Sequence, residues 1–320
     1  MFSYTRMAGL LAILIILQSG CQKERLALQW DKMATGTEDD LYCMTLSPDG
    51  EIWVAGGDSW HSGVVLHSPD EGNHFTIRHQ TDKALLTIHH AANGAVWATG
   101  VDGHIWRFSD TSGWTYAHPN YWAVSRGMTT FPNGQAIVVG GNAFESGYMF
   151  TSTENNETAH LFEHLNRINA VETIDSSTAF CVGYGVVYRT DNQGNTWSIQ
   201  DVYGDHYMAI HFPEPETGYI VGYGGSILKT TNRGSTWENQ HGKKRLSVSS
   251  SAFRDVYFQN AQRGVIVGDE GTAWFTKNGG SDWIILEGLP QNTDFLAVGI
   301  SGNYLFVAGT NGAVYRATLP

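Results

Sequence analysis

The sequence predicts an all-β protein, a seven-bladed β-propeller built as one domain. Three observations predict it: a strand-ending glycine that recurs seven times, a turn motif that recurs after the third strand of a repeat, and a last repeat that lacks one strand. The glycines close short apolar runs at Val54-Ala55-Gly56, Ala98-Thr99-Gly100, Val138-Val139-Gly140, Cys181-Val182-Gly183, Ile220-Val221-Gly222, Ile266-Val267-Gly268 and Val307-Ala308-Gly309. Gly56 and Gly309 are 253 residues apart over six intervals, a mean near 42. Apolar runs between turns are short, and a sustained helical period is rare. Four short strands per repeat of about 42 residues is the propeller-blade pattern. Glycine, 37 residues of 320, supplies the many turns this requires.

Taken in chain order, the amino terminus reads as a processing signal. Arg6 precedes an apolar run from Ala8 to Leu17. Ten residues are too few to cross a hydrocarbon core, which takes about 20, and they suit the apolar centre of a secretion signal. Leu17-Gln18-Ser19-Gly20-Cys21 resembles the bacterial lipobox, with Gln18 where Leu is common. The expected division is therefore a lipoprotein signal peptide at 1–20, a tether at 21–25 anchored by lipid on Cys21, and the propeller at 26–320. Ordinary secretion is the alternative. Gln22-Lys23-Glu24 lacks the Asp that often retains lipoproteins at the inner membrane, so an outer-membrane location is expected, facing the periplasm or the cell surface. Removing 1–20 takes away only one charged residue, Arg6, and moves the net charge from −12 to −13.

The turn motif follows the third strand. It reads Ser68-Pro-Asp70-Glu-Gly72-Asn-His-Phe75, Thr190-Asp-Asn192-Gln-Gly194-Asn-Thr-Trp197, Thr230-Thr-Asn232-Arg-Gly234-Ser-Thr-Trp237 and Thr276-Lys-Asn278-Gly-Gly280-Ser-Asp-Trp283. These resemble the Asp-box, or BNR, repeat. Asp or Asn accepts backbone N–H groups, Gly permits positive φ, and the aromatic packs between blades. Its role is structural. Repeat two carries a degenerate copy at Ser109–Trp114, and repeat three has lost the pattern. After Val314-Tyr315-Arg316 the chain ends at Pro320, so the missing outer strand of the last blade is expected from Leu26–Trp30, with Trp30 standing where Trp197 and Trp237 stand. That exchange closes the ring and removes open sheet edges.

Ile220-Val-Gly-Tyr-Gly-Gly-Ser-Ile-Leu-Lys-Thr-Thr-Asn-Arg-Gly-Ser-Thr-Trp237 is the clearest copy of the whole repeat. Where glycine turn and box occur together, the chain resembles the photosystem II stability and assembly factor-like β-propellers of the BNR-repeat superfamily. The resemblance covers nearly all of the mature chain and is strongest from 179 to 285. It implies a non-catalytic assembly protein for a membrane-protein client, with a basic patch on the propeller as the docking surface. No full arginine set matches residue by residue.

In each blade the start of strand one shares a face with the turn between strands two and three. Aligned on the glycines, Tyr42, Leu86, Arg126, Asn169, Met208, Arg254 and Phe295 take equivalent places around the channel mouth. Trp60 and Phe144, in two matching longer turns, fall on the same face, as do Arg167, Tyr184, Tyr207 and Tyr223. The Asp-boxes fall on the other. Aromatic residues with arginines are the ingredients of a protein-binding hot spot.

Other chemistry finds less support. The acidic balance argues against nucleic acid, which needs a concentrated basic surface. Thirteen histidines show no metal-ligand spacing, and Cys43 and Cys181 read as buried small hydrophobes in different blades. No catalytic, metal or cofactor site is assigned. Asp-boxes also occur in sialidases, but the Arg-Ile-Pro strand that opens that family is absent. Paired carboxylates for inverting hydrolysis could come only from turn residues such as Asp58, Asp102, Glu145, Asp269 and Glu270. The expected function is a non-catalytic envelope scaffold for a membrane-associated protein. The alternative is a carbohydrate-binding or glycan-active propeller.

Overall fold

The computed structural model describes residues 24–117, 122–143, 146–152, 158–202, 204–240 and 252–320. Cys21, Phe144 and Glu145 lie outside the described residues. Seven sheets follow one another around a ring, all antiparallel except for one strand added to the sixth. The first strands of the blades are Asp40–Leu46, Leu85–His90, Ser125–Thr130, Ile168–Thr173, Tyr207–Glu214, Phe253–Phe258 and Phe295–Ser301. In blades one to six the strands pair in sequence order. Facing sheets bury seven inter-blade cores, among them Phe131, Ile137 and Met149 against Val186 and Tyr188.

The box turns show why their sequence recurs. The Oγ of Ser68, Thr190, Thr230 and Thr276 accepts the N–H of Gly72, Gly194, Gly234 and Gly280, each at 2.9 Å. The carboxylate of Asp70 and the amide oxygens of Asn192, Asn232 and Asn278 accept the N–H four residues on, again at 2.9 Å. Gly72 has φ +79, and a Cβ there would sit 2.5 Å from Phe306 in the neighbouring blade. The box aromatic then packs between its own blade and the preceding one, as Trp237 does beside Phe180 and Phe212.

The amino terminus closes the last blade, in a different register from the one expected. Its outer strand is Asp31–Lys32, antiparallel to Val314–Thr318. Leu26–Trp30 does not form it. Instead Arg25–Ala27 adds to blade six as a fifth strand, parallel to Ile284–Glu287. The expected place of Trp30 is nevertheless correct. It directly precedes a two-residue outer strand, as Trp197 precedes Ser198–Ile199 and Trp237 precedes Glu238–Asn239. Trp30 packs into the core between blades six and seven and donates from Nε1 to Glu287 O at 3.0 Å.

Candidate partner-binding site

Every first strand carries a β-bulge close to its start. The register shifts lie between Leu41 and Cys43, Leu85 and Thr87, Ser125 and Gly127, Ile168 and Ala170, Tyr207 and Ala209, Phe253 and Asp255, and Phe295 and Ala297. The residue skipped in each turns toward the axis: Tyr42, Leu86, Arg126, Asn169, Met208, Arg254 and Leu296 line the cavity there, about 600 Å³ in volume. The strand-ending glycine makes room for the bulge. A Cβ on Gly56, Gly100, Gly140, Gly183, Gly268 or Gly309 would collide with the carbonyl of Asp40, Ala84, Val124, Arg167, Ala252 or Asp294, at or just before the start of strand one.

Six of the seven mouth residues are therefore those the alignment predicts. The seventh is Leu296, and Phe295 is fully buried. Tyr207 is a second correction: it occupies the position equivalent to Phe253 and Phe295 and is also fully buried. Both side chains sit one residue before the bulge, so they face the core where the next residue faces the channel.

The three arginines converge. Arg167 hydrogen-bonds to the ring of His206. Burial, then Arg167, Arg254 and Arg126 with it, hold His206 down at about 4 despite the counteracting Asp205. Arg254 is committed to Asp269, with Nε–Oδ1 at 2.6 Å and Nη2–Oδ2 at 2.9 Å, and it lies over the Tyr223 ring. Burial alone would lower the Arg254 pKa, but Asp269 raises it. Arg126 is different. Its Nε donates to Gly141 O at 3.0 Å, and it has no carboxylate partner among the described residues. Burial, and the repulsion of Arg167, pull it down to about 10.

Across the mouth the charge reverses. Tyr42 is pushed up to about 12 by burial and then by Asp40, Asp58 and Asp39. Around this polar rim stand exposed aromatics: Trp60 (57% exposed), Tyr184 (44%) and Tyr223 (48%). The Trp60 turn is held by Ser62 Oγ, which accepts Asp58 N–H at 3.1 Å, while Lys83 Nζ donates to Trp60 O. The matching turn from Gly141 uses Ser146 Oγ for Ala143 N–H at 2.7 Å. Asp205 organises the turn carrying Tyr223 by accepting Gly224 N–H and Ser226 N–H.

Farther down the channel lies a ring that sequence reasoning missed. Thr45, His89, Thr129, Glu172, His211 and Tyr257 line it, each three residues past its mouth residue. That shared offset was the available signal. Glu172 Oε1 accepts Phe212 N–H at 3.1 Å and lies 3.3 Å from His211 Nδ1. His211 Nε2 meets Phe258 O at 3.0 Å. Asp255 accepts Val256 N–H at 2.8 Å and Val298 N–H at 2.9 Å, and burial pushes it up to about 7. Cys43 borders this channel, partly buried, whereas Cys181 is wholly in the core. Among the described residues, no group of three or more His, Cys, Asp or Glu side chains is placed to hold a metal ion.

The sequence model of the family described as photosynthesis system II assembly factor YCF48 matches residues 193–318. Over that stretch the chain is related to YCF48. The match is narrower than the nearly whole-chain resemblance expected from the repeats. No curated protein matches the sequence. Among solved structures, YCF48 from Cyanidioschyzon merolae is 15% identical, covering 90% of this chain and 98% of its own at a TM-score of 0.67. A structure of YCF48 bound to D1 peptide is 14% identical, covering 93% and 98% at 0.71. A catalytically inactive virginiamycin B lyase from Staphylococcus aureus, with quinupristin, is 13% identical, covering 92% and 100% at 0.69. The seven-bladed frame is thus shared by an assembly factor and an enzyme, and the frame alone does not choose between them.

Proposed function

We propose that this protein is a non-catalytic partner-binding propeller of the bacterial envelope, lipid-anchored at Cys21 in the outer membrane. Its channel mouth takes an acidic segment of a membrane-associated protein. The observation that carries this reading is Arg126, a half-buried cation with no carboxylate partner among the described residues, beside Arg167 at a rim of exposed aromatics. A ligand carboxylate there gains charge-assisted hydrogen bonds and relieves the repulsion between the two guanidinium groups. Trp60, Tyr184 and Tyr223 add apolar contact of the kind hot spots use. The relation to YCF48, which has been seen with a bound peptide, supports a peptide occupant.

The test compares wild type with the double variant Arg126→Gln/Arg167→Gln in affinity capture from envelope membranes. Partners should be lost from the variant while its melting curve stays cooperative, and raising salt should weaken wild-type capture. Identical partner recovery from both proteins would overturn the proposal. A glycan ligand is the second reading. Trp122, 71% exposed, stands beside His104, whose ring also meets Tyr116, and His104 Nδ1 lies 3.1 Å from the buried Asp102 carboxylate. An aromatic platform next to a carboxylate suits a sugar ring, and a glycan array tests it directly.

A further inference from the structure

The first strand fixes the direction from which the chain enters the disc. Arg25–Ala27 runs parallel to Ile284–Glu287, with Arg25 opposite Ile285 and Ala27 opposite Glu287. Glu24 is already in register, its carbonyl accepting Ile285 N–H at 2.9 Å. Ile284–Glu287 leaves the box turn that ends at Trp283 and climbs toward the mouth face. A parallel neighbour climbs the same way. Arg25–Ala27 is therefore entered from the Asp-box side, at the outer edge of blade six.

We infer that the anchored propeller stands with the Asp-box side of blade six toward the lipid headgroups and its arginine-lined mouth turned away from the bilayer. The inference rests on the reading of Cys21 as the lipid-bearing residue. Cys21 is three residues before Glu24, a reach of at most about 10 Å. Glu24 is level with Ile284, which pairs with Phe275. From Phe275 to the mouth-side turn at Gly271 is four residues, a climb of roughly 13 Å at about 3.3 Å per residue. With the mouth against the bilayer, the tether would have to reverse and span that height. Three residues do not reach. The geometry also selects the partner. A mouth held away from the surface takes a tail or loop that projects clear of the membrane, rather than a segment lying within it.

Full-length lipidated protein is bound to phosphatidylethanolamine–phosphatidylglycerol vesicles carrying a headgroup energy-transfer acceptor in the outer leaflet. A donor dye is placed at Lys277→Cys in one preparation and at Trp60→Cys in another. The parent protein, whose Cys43 and Cys181 lie inside the ring, measures background labelling. Transfer should be severalfold stronger from position 277 than from 60. Inserting a twelve-residue Gly/Ser linker between Lys23 and Glu24 should erase most of that difference, since such a linker spans roughly 19 Å on average. Equal transfer from both positions without the linker, or stronger transfer from 60, overturns the orientation. Flotation with the vesicles separates the two ideas. Wild type that floats while Cys21→Ser stays behind upholds the anchor whatever the dyes report. Wild type that fails to float, or Cys21→Ser that floats equally well, removes the anchor and the orientation with it.

Discussion

Arg126→Met should stabilise the unliganded protein while impairing capture, and Arg254→Met should destabilise it. The opposite signs follow from the two environments. Arg126 is pulled down to about 10 by burial and by Arg167. A fall of two to three units corresponds to about 3 kcal/mol, and water at the open mouth reduces the effective figure to about 1–2 kcal/mol. Met keeps the apolar stem and loses the bond to Gly141 O, worth about 0.5–1 kcal/mol beside solvent. The net expectation is a gain near 1 kcal/mol, or a rise of about 2 °C in a chain of this size. Arg254→Met instead strands the Asp269 carboxylate, which now receives two hydrogen bonds from Arg254, at a cost of about 2–3 kcal/mol. Thermal unfolding of both variants beside wild type, followed by tryptophan fluorescence at pH 7, measures the pair. Because the folded pKa of Arg126 is depressed, its penalty is fully present below about pH 10 and eases as pH rises through that value. If Arg126→Met lowers the midpoint as far as Arg254→Met does, the unmatched-cation argument is refuted.

Trp30→Ala should cost about 3 kcal/mol: roughly 2–3 from half-burying an indole of about 200 Å², and up to about 1 from its bond to Glu287 O. A urea midpoint within experimental error of wild type would show that the ring does not depend on this seam. The channel gives a pH dependence. Asp255 is raised to about 7 by burial, so its contribution is fully present below about pH 4 and is lost as pH rises through 7. His211 is lowered by burial but raised overall by Glu172, and its contribution likewise fades with rising pH. Urea titrations at pH 5 and pH 8 should show wild type losing about 2 kcal/mol more than Asp255→Asn across that interval. An identical loss in both proteins would remove Asp255 from the account.

The blade count, the box turns and the seam aromatic were legible because each repeats a local physical requirement. Gly56 and its six equivalents mark a close approach, and the Ser/Thr–Asn–Gly spacing closes a turn by itself. The bulge was not legible. It leaves no residue signature of its own, and slipping it by one residue exchanges Leu296 for Phe295 and places Tyr207 at the mouth instead of in the core. Arg25–Ala27 was invisible for another reason: three residues show no period, and their partner strand lies some 260 residues away. The channel ring needed the offset from mouth residue to second ring, which becomes meaningful only once the bulge fixes which side faces the axis.

That second ring bears on whether the axis does chemistry. Glu172, His211 and Asp255 have the composition of an acid–base site, yet each is engaged in joining neighbouring blades. Glu172 of blade four accepts from Phe212 of blade five, His211 of blade five meets the Phe258 carbonyl of blade six, and Asp255 of blade six accepts from Val298 of blade seven. A group that must lose its partner before it can move a proton is a poor general acid or base, because the loss opens an inter-blade contact at the same moment. At the mouth the opposite holds. Arg126 has charge to offer and little to lose by binding, which is the condition for recognition.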